Sequence, residues 1–241
     1  MKLSNEEIER YDRQIGVIGL ENQLKLKNAS VLVVGLGGLG SVASYYLVSA
    51  GIGRLILVDN EVVELSNLQR QILYTVDDLG RKKALVAKER LSKLNPNVEI
   101  IVYPEKFTLE LGSRLVDQVD VIVDALDNWE TRFLLDKLAF KHKKPLVHAG
   151  VEGFHGQLTT IIPGKTPCLR CIFHVEKPVR RKINVVATTP GVLGVLEVCE
   201  VIKLITGIGE VLANKILVYN GLTNSFDIVE IKSSDCKICY E

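Results

Sequence analysis

The chain has 241 residues, 47% of them hydrophobic and 24% charged, and its 30 Lys and Arg against 29 Asp and Glu leave a formal net charge of +1. That length suits one α/β domain, and so even a balance excludes a strong basic field, so neither nucleic acid nor a membrane surface is expected as the main partner. Glu6, Glu7, Arg10, Asp12 and Arg13 break the apolar runs before Leu20, and no stretch approaches the roughly 20 apolar residues of a membrane span, so neither signal peptide nor anchor is predicted and a cytoplasmic protein is expected.

Ser4 followed by Glu7 has the spacing of a capping box and predicts a short helix, with a second amphipathic stretch from Leu20. Val31-Leu32-Val33-Val34 is a β-rich run ending in glycines. A small-residue helix over Leu39 to Ala50 and a strand Leu55 to Val58 follow, which makes a βαβ unit with buried parallel strands. The alternation goes on through a helix Lys82 to Leu94, a strand Val98 to Tyr103, a strand Val119 to Val123, a helix Glu130 to His142 and a strand Leu146-Val147. This is the rhythm of a doubly wound, Rossmann-like, mostly parallel sheet. Then come a strand Gln157 to Ile162, a Pro- and charge-rich stretch to Pro190, and a helix Val192 to Ile205. Two strands, Ile216 to Tyr219 and Phe226 to Ile231, should pair as an antiparallel hairpin that extends the same sheet.

Gly35-Leu36-Gly37-Gly38-Leu39-Gly40 fits GxGxxG between a strand and a helix, where Gly35, Gly37, Gly38 and Gly40 would let the backbone approach phosphate at a helix N-terminus. Asp59 ends the next strand at the spacing of a carboxylate that accepts a ribose hydroxyl. Together they predict a bound nucleotide, and by themselves they also fit an NAD-dependent oxidoreductase. Asp127 follows the strand Val119 to Val123 and so lies at the carboxyl edge of the sheet, where open α/β folds bind ligands. Four of the five cysteines form two CxxC pairs. Cys168 and Cys171, with Cys236 and Cys239, have the spacing of a closed four-cysteine site for structural Zn²⁺, with redox disulfides as the alternative. Cys199 lies on an apolar helical stretch and is expected to be a small buried hydrophobe.

The ordered set Arg10-Tyr11-Asp12-Arg13-Gln14, the glycine loop, Ser66-Asn67-Leu68-Gln69-Arg70-Gln71, Gly80-Arg81-Lys82-Lys83, Asp124-Ala125-Leu126-Asp127-Asn128 and both CxxC pairs resembles the ThiF/MoeB/HesA superfamily, most of all its MoeB/ThiF branch. The resemblance runs over nearly all of residues 8 to 240. It implies an adenylyltransferase that uses ATP and Mg²⁺ on the C-terminal Gly-Gly carboxylate of a ubiquitin-like sulfur-carrier protein. It further implies that Arg70 and Lys83 contact phosphates and that Asp127 holds Mg²⁺ with Asn128 near the nucleotide. Ser66, Asn67, Leu68 and Gln69 would line the triphosphate pocket, although Asn67 and Gln69 could equally cap backbone groups. Asp124 would be structural or would support the residues that touch the nucleotide. The branch is homodimeric, with Arg13 crossing to the partner's active site. On this reading residues 1 to 28 form a helical arm, 29 to 150 the nucleotide-binding half and 151 to 241 a zinc-containing, carrier-binding half of one domain.

Many relatives carry a further cysteine in the loop after the first CxxC pair, and here no cysteine stands between Cys171 and Cys199. Adenylation alone is therefore expected, with a separate sulfurtransferase or another nucleophile taking the acyl-adenylate for cofactor biosynthesis, such as molybdopterin or thiamine, or for thiolated tRNA. Arg180, Arg181 and Lys182 could steer an acidic carrier or be a solvated loop. A related enzyme acting on a non-protein carboxylate remains an alternative, as does an adaptor that has lost turnover.

Overall fold

Parallel strands covered on both faces must be apolar along their whole length, and the Val, Ile and Leu runs meet that requirement. In the computed structural model, which describes residues 2–175 and 183–231, they become β1 (Ser30–Val34), β2 (Arg54–Val58), β3 (Glu99–Tyr103), β4 (Val121–Asp124) and β5 (Leu146–Glu152). These five run parallel. β6 (His155–Ile161), β7 (Lys215–Asn220) and β8 (Ser225–Glu230) continue antiparallel, giving an eight-stranded sheet of the described residues in the order β3-β2-β1-β4-β5-β6-β7-β8.

Alternation along each strand feeds two cores. Val31, Val33, Leu55 and Leu57 face α4 (Gly38–Ala50), α5 (Lys83–Leu94) and α9 (Thr188–Thr206), whereas Leu32, Val34, Ile56 and Val58 face α6 (Leu109–Val116), α7 (Trp129–His142) and α8 (Leu169–Phe173). None of these eight strand side chains is more than 1% exposed, so each contributes the full burial of a Val, Leu or Ile, about 1.5–3 kcal/mol. The N-terminal arm comprises α1 (Asn5–Arg10), α2 (Asp12–Ile18) and α3 (Leu20–Asn28). The predicted capping box is present: Glu7 N–H donates to Ser4 Oγ at 3.2 Å and Ser4 N–H to Glu7 Oε2 at 2.8 Å. Asn95 Nδ2 donates to Tyr11 Oη at 2.8 Å and Gln23 Nε2 to the Ala50 carbonyl at 3.0 Å, which ties the arm to α4 and α5.

The sequence reading differs from the fold at several places. It does not predict α2, α6 or α8. α9 begins at Thr188, before the expected Val192, because Pro190 falls in the first turn, where a helix has no partner for its N–H groups anyway. β5 grows from two expected residues to seven because β6 pairs with it from Leu146↔Ile161 to Glu152↔His155. Cys199 is exposed rather than buried. The buried stripe of α9 passes through Leu193, Glu197, Val198 and Val201, and two residues past Glu197 is about 200° round the helix. No helix of the described residues is long and apolar enough to cross a membrane.

Candidate active site

The strand order reverses between β1 and β4, where open sheets leave a crevice beyond their carboxyl ends. A cleft of about 1820 Å³ opens there, lined by Gly35, Gly37, Gly38, Asp59, Ser66, Asn67, Gln69, Arg70, Asp127 and Asn128 among others. Gly35 has φ +94, and its N–H donates to the Val58 carbonyl at 2.9 Å, which turns the chain sharply off β1. Gly37 caps α4, so the free N–H groups of that helix's first turn face the cleft with the positive end of its dipole. Gly40 plays a different part. A Cβ there would lie 1.9 Å from the Gly35 carbonyl oxygen, so this glycine permits close packing and does not line the cleft.

Asp59 anchors the glycine loop: Oδ2 accepts the Leu36 N–H at 2.7 Å and Oδ1 the Glu61 N–H at 2.8 Å. Burial raises its pKa, against the pull of those two N–H groups and of the Lys83 charge. Arg70 borders the loop, with Cδ 3.4 Å from where a Cβ on Gly38 would stand, and its Nη1 donates to the Ser66 carbonyl at 3.1 Å. Lys83 is 1% exposed and does not line the cleft; its Nζ donates to Glu61 Oε2 at 2.6 Å, and Glu61 does line it. Asp127 is exposed at the mouth, its Oδ1 meeting the Asn128 amide at 3.4 Å. Asn128 also caps α7 by accepting the Thr131 N–H at 3.0 Å. Asn67 Oδ1 accepts the Glu64 N–H at 3.1 Å, so it too caps backbone while lining the cleft. Gln69 reaches the Val185 carbonyl at 3.5 Å. Leu68 does not line the cleft but packs on the core. Arg13 stands exposed on α2 and is not among the residues around its own chain's cleft.

Three supporting groups stand around the glycine loop and Asp127. Tyr74 Oη donates to the Leu36 carbonyl at 3.0 Å, and burial with the charges of Asp59 and Glu61 pushes its pKa up, so it stays a donor. Gln71, 3% exposed, lines the cleft beside the same loop, and its Oε1 has no hydrogen-bond partner among the described residues. Behind Asp127 lies a buried polar cluster. Asp124, expected to be structural, accepts the Leu126 N–H on Oδ1 at 3.1 Å and pairs with His148 Nδ1 through Oδ2 at 2.7 Å. Burial, then the Arg132 charge, lowers the His148 pKa, so the ring is neutral and donates from Nδ1. Arg132 Nη2 donates to the carbonyls of Leu126 and, at 2.9 Å, Ala149. Glu197 is fully buried with neither oxygen hydrogen-bonded among the described residues; burial, and then Asp124, raises its pKa well above the usual range. Burial likewise pushes Asp136 up to about 7. Such groups carry no motif of their own, and Glu197 falls inside an apolar helical stretch where the sequence gives no sign of the charges facing it.

The cysteine prediction is half visible. Cys168 and Cys171 lie 3.5 Å apart, Sγ to Sγ, at the start of α8. Cys236 and Cys239, like Arg180, Arg181 and Lys182, lie outside the described residues. Among the described residues no group of three or more His, Cys, Asp or Glu is placed to hold a metal. The predicted four-cysteine Zn²⁺ site is therefore not shown, because two of its four thiols fall outside those residues.

Residues 11–239 match the family model described as the ThiF family. A sulfur carrier protein adenylyltransferase of Thermus thermophilus is 40% identical over 252 residues, covering 99% of this chain and 93% of that protein. An adenylyltransferase and sulfurtransferase MOCS3 of Anopheles gambiae is 41% identical over 249 residues, but the chain spans only 56% of its length. Among solved structures, E. coli MccB with ATP superposes with a TM-score of 0.84 at 28% identity, over 95% of this chain and 73% of that one. These likenesses set aside the oxidoreductase that a glycine loop and Asp59 alone would have allowed. Matched over nearly its whole length by the family model and by a full-length adenylyltransferase, the chain belongs to the ThiF family and is an adenylyltransferase.

Proposed function

We propose that the chain transfers AMP from ATP to the C-terminal glycine carboxylate of a ubiquitin-like sulfur-carrier protein ending in Gly-Gly. The observation that carries this is the convergence of the glycine loop, Arg70 and Asp127 on one cleft at the strand-order switch. In the reaction a carboxylate oxygen bonds the α-phosphorus, the bond to the bridging oxygen of the β-phosphate breaks, and pyrophosphate leaves with that electron pair. Negative charge grows on the leaving group, so catalysis needs cations and alignment more than proton transfer. Arg70 offers a planar fork to phosphate oxygens beside the helix N-terminus. Lys83 would exchange Glu61 for a phosphate oxygen, its stem already held by burial. Asp59 would accept a ribose hydroxyl on lone pairs left after its two N–H bonds.

The donor chemistry fits Mg²⁺: a carboxylate, Asp127, faces the cleft, and this ion usually takes one or two carboxylates with phosphate oxygens and water. Bound there, it would offset charge on the departing pyrophosphate. The exposed Arg13 supports a trans role, in which a homodimer partner's α2 brings its arginine to this cleft. Zn²⁺ would be structural. The Cys168–Cys171 spacing of 3.5 Å is close to the roughly 3.8 Å edge of a tetrahedron with 2.3 Å Zn–S bonds, and the competing chemistry is a redox disulfide within the CxxC pairs. With no cysteine between Cys171 and Cys199, sulfur delivery falls to a separate sulfurtransferase or other nucleophile.

The test is ATP–pyrophosphate exchange with candidate small proteins ending in Gly-Gly. The cognate carrier should stimulate exchange, removal of its last glycine should abolish this, and Asp127→Ala should abolish exchange with an unchanged thermal midpoint. Near-native exchange by Asp127→Ala would remove the metal role.

A further inference from the structure

A carboxylate that is to hold a cation has to be fixed to within about half an ångström, yet Asp127 sits exposed on the loop between β4 and α7. The residue before it is pinned at both ends. The Leu126 N–H donates to Asp124 Oδ1 at 3.1 Å, and the Leu126 carbonyl accepts from Arg132 Nη2. That same nitrogen donates to the Ala149 carbonyl on β5 at 2.9 Å, so one guanidinium joins the Asp127 loop to the neighbouring strand. Its own orientation is fixed by the Trp129 ring, 5.2 Å below it, and by Asp124, whose Oδ2 stands 3.6 Å from Nε. Asp124 is oriented in turn by His148.

We propose that Arg132 is a positioning residue: it holds the Asp127 carboxylate in place for the divalent cation that accompanies ATP, by clamping the loop after β4 to β5. The inference rests on the adenylation reading. Its physical basis is the cost of the arrangement. Arg132 is 7% exposed and its Nε has no hydrogen-bond partner among the described residues, and a buried cation this incompletely satisfied adds little to folding that an apolar side chain could not supply. What an apolar side chain cannot do is bridge the carbonyl of a loop and that of the neighbouring strand. Lysine, one atom shorter from Cα to its nitrogen and without a plane to lie on the Trp129 ring, does this poorly.

The experiment is calorimetric titration of the full chain with ATP, in excess Mg²⁺ and in EDTA, for wild type and Arg132→Lys, with thermal melts of both. Arg132→Lys should bind Mg²⁺-ATP about 10–100-fold more weakly, while metal-free ATP affinity stays within about twofold and added Mg²⁺ partly restores pyrophosphate exchange. An unchanged Mg²⁺-ATP affinity, or equal weakening of both forms, overturns the proposal. If Arg132→Lys does not fold, Asp124→Asn decides. It keeps an acceptor for the Leu126 N–H but removes the charge beside Arg132, and it should show the same metal-specific loss; equal loss of both forms overturns the proposal there too. A wild-type chain with no exchange for any Gly-Gly carrier sinks the adenylation reading instead, and the comparison of the two ATP forms still decides Arg132.

Discussion

Gly37 and Gly40 share a motif but not a job. A Cβ on Gly37 would meet nothing nearer than Gln71 Nε2 at 3.7 Å, on a residue that lines the cleft. Gly37→Ala should therefore melt like the wild type and bind ATP more weakly by calorimetry, since the methyl occupies space the phosphates need. A Cβ on Gly40 would stand 1.9 Å from a backbone oxygen, and backbone cannot swing aside. Gly40→Ala should lose about 1–3 kcal/mol or more of stability in urea unfolding. A Gly40 variant of native stability would show that the loop is looser than drawn. Glu197 makes the other residue-scale prediction. Its folded pKa is raised, so no stability is lost below the unfolded value of about 4.5; as pH rises past that value the unfolded chain ionises and the folded one does not, and stability falls until the folded pKa is reached. Glu197→Gln should remove a slope of up to about 1.4 kcal/mol per pH unit in that window. It should thus gain on wild type at pH 8 relative to pH 4.5 in urea titrations, and parallel pH profiles would refute this.

At the scale of elements, local signals locate those that carry their own instructions. Ser4 and Glu7 place the start of α1, and both bonds of the box are formed. Ser4→Ala should cost about 1 kcal/mol, read as a lower urea midpoint at constant slope. Because α1 leads directly into the helix carrying Arg13, the variant should also lose exchange activity before it unfolds. β1 and β2 are legible because central strands covered on both faces need unbroken apolar runs. By contrast α6 is missed because it is only eight residues long, although Thr108 caps it and Leu111, Leu115 and Val116 fall on one face, which burial against α7 then uses. The start of α9 is displaced in the sequence reading because Pro190 looks like a breaker until its position in the first turn is known.

At the scale of the molecule, trans action by Arg13 has a direct test. Arg13→Ala and Asp127→Ala should each lack exchange alone. If Arg13 serves the partner's cleft, mixed dimers contain one intact site, so an equimolar mixture should recover about a quarter of wild-type activity. No recovery after subunit exchange would place Arg13 elsewhere. Local sequence suffices for the glycine turn, the run of parallel strands and the place of Asp127 at the sheet's carboxyl edge, because each follows from propensity, periodicity or a fixed spacing, whereas Arg70 beside the loop is what the family resemblance implies. It takes the packed molecule to reveal that Gly40 and Leu68 serve packing, that Lys83 is buried against Glu61, and that Asp124, His148 and Glu197 are buried behind Asp127 around an Arg132 that also borders the cleft. Those outcomes depend on which distant segments meet across the sheet, and on the desolvation that follows, neither of which any stretch of sequence contains.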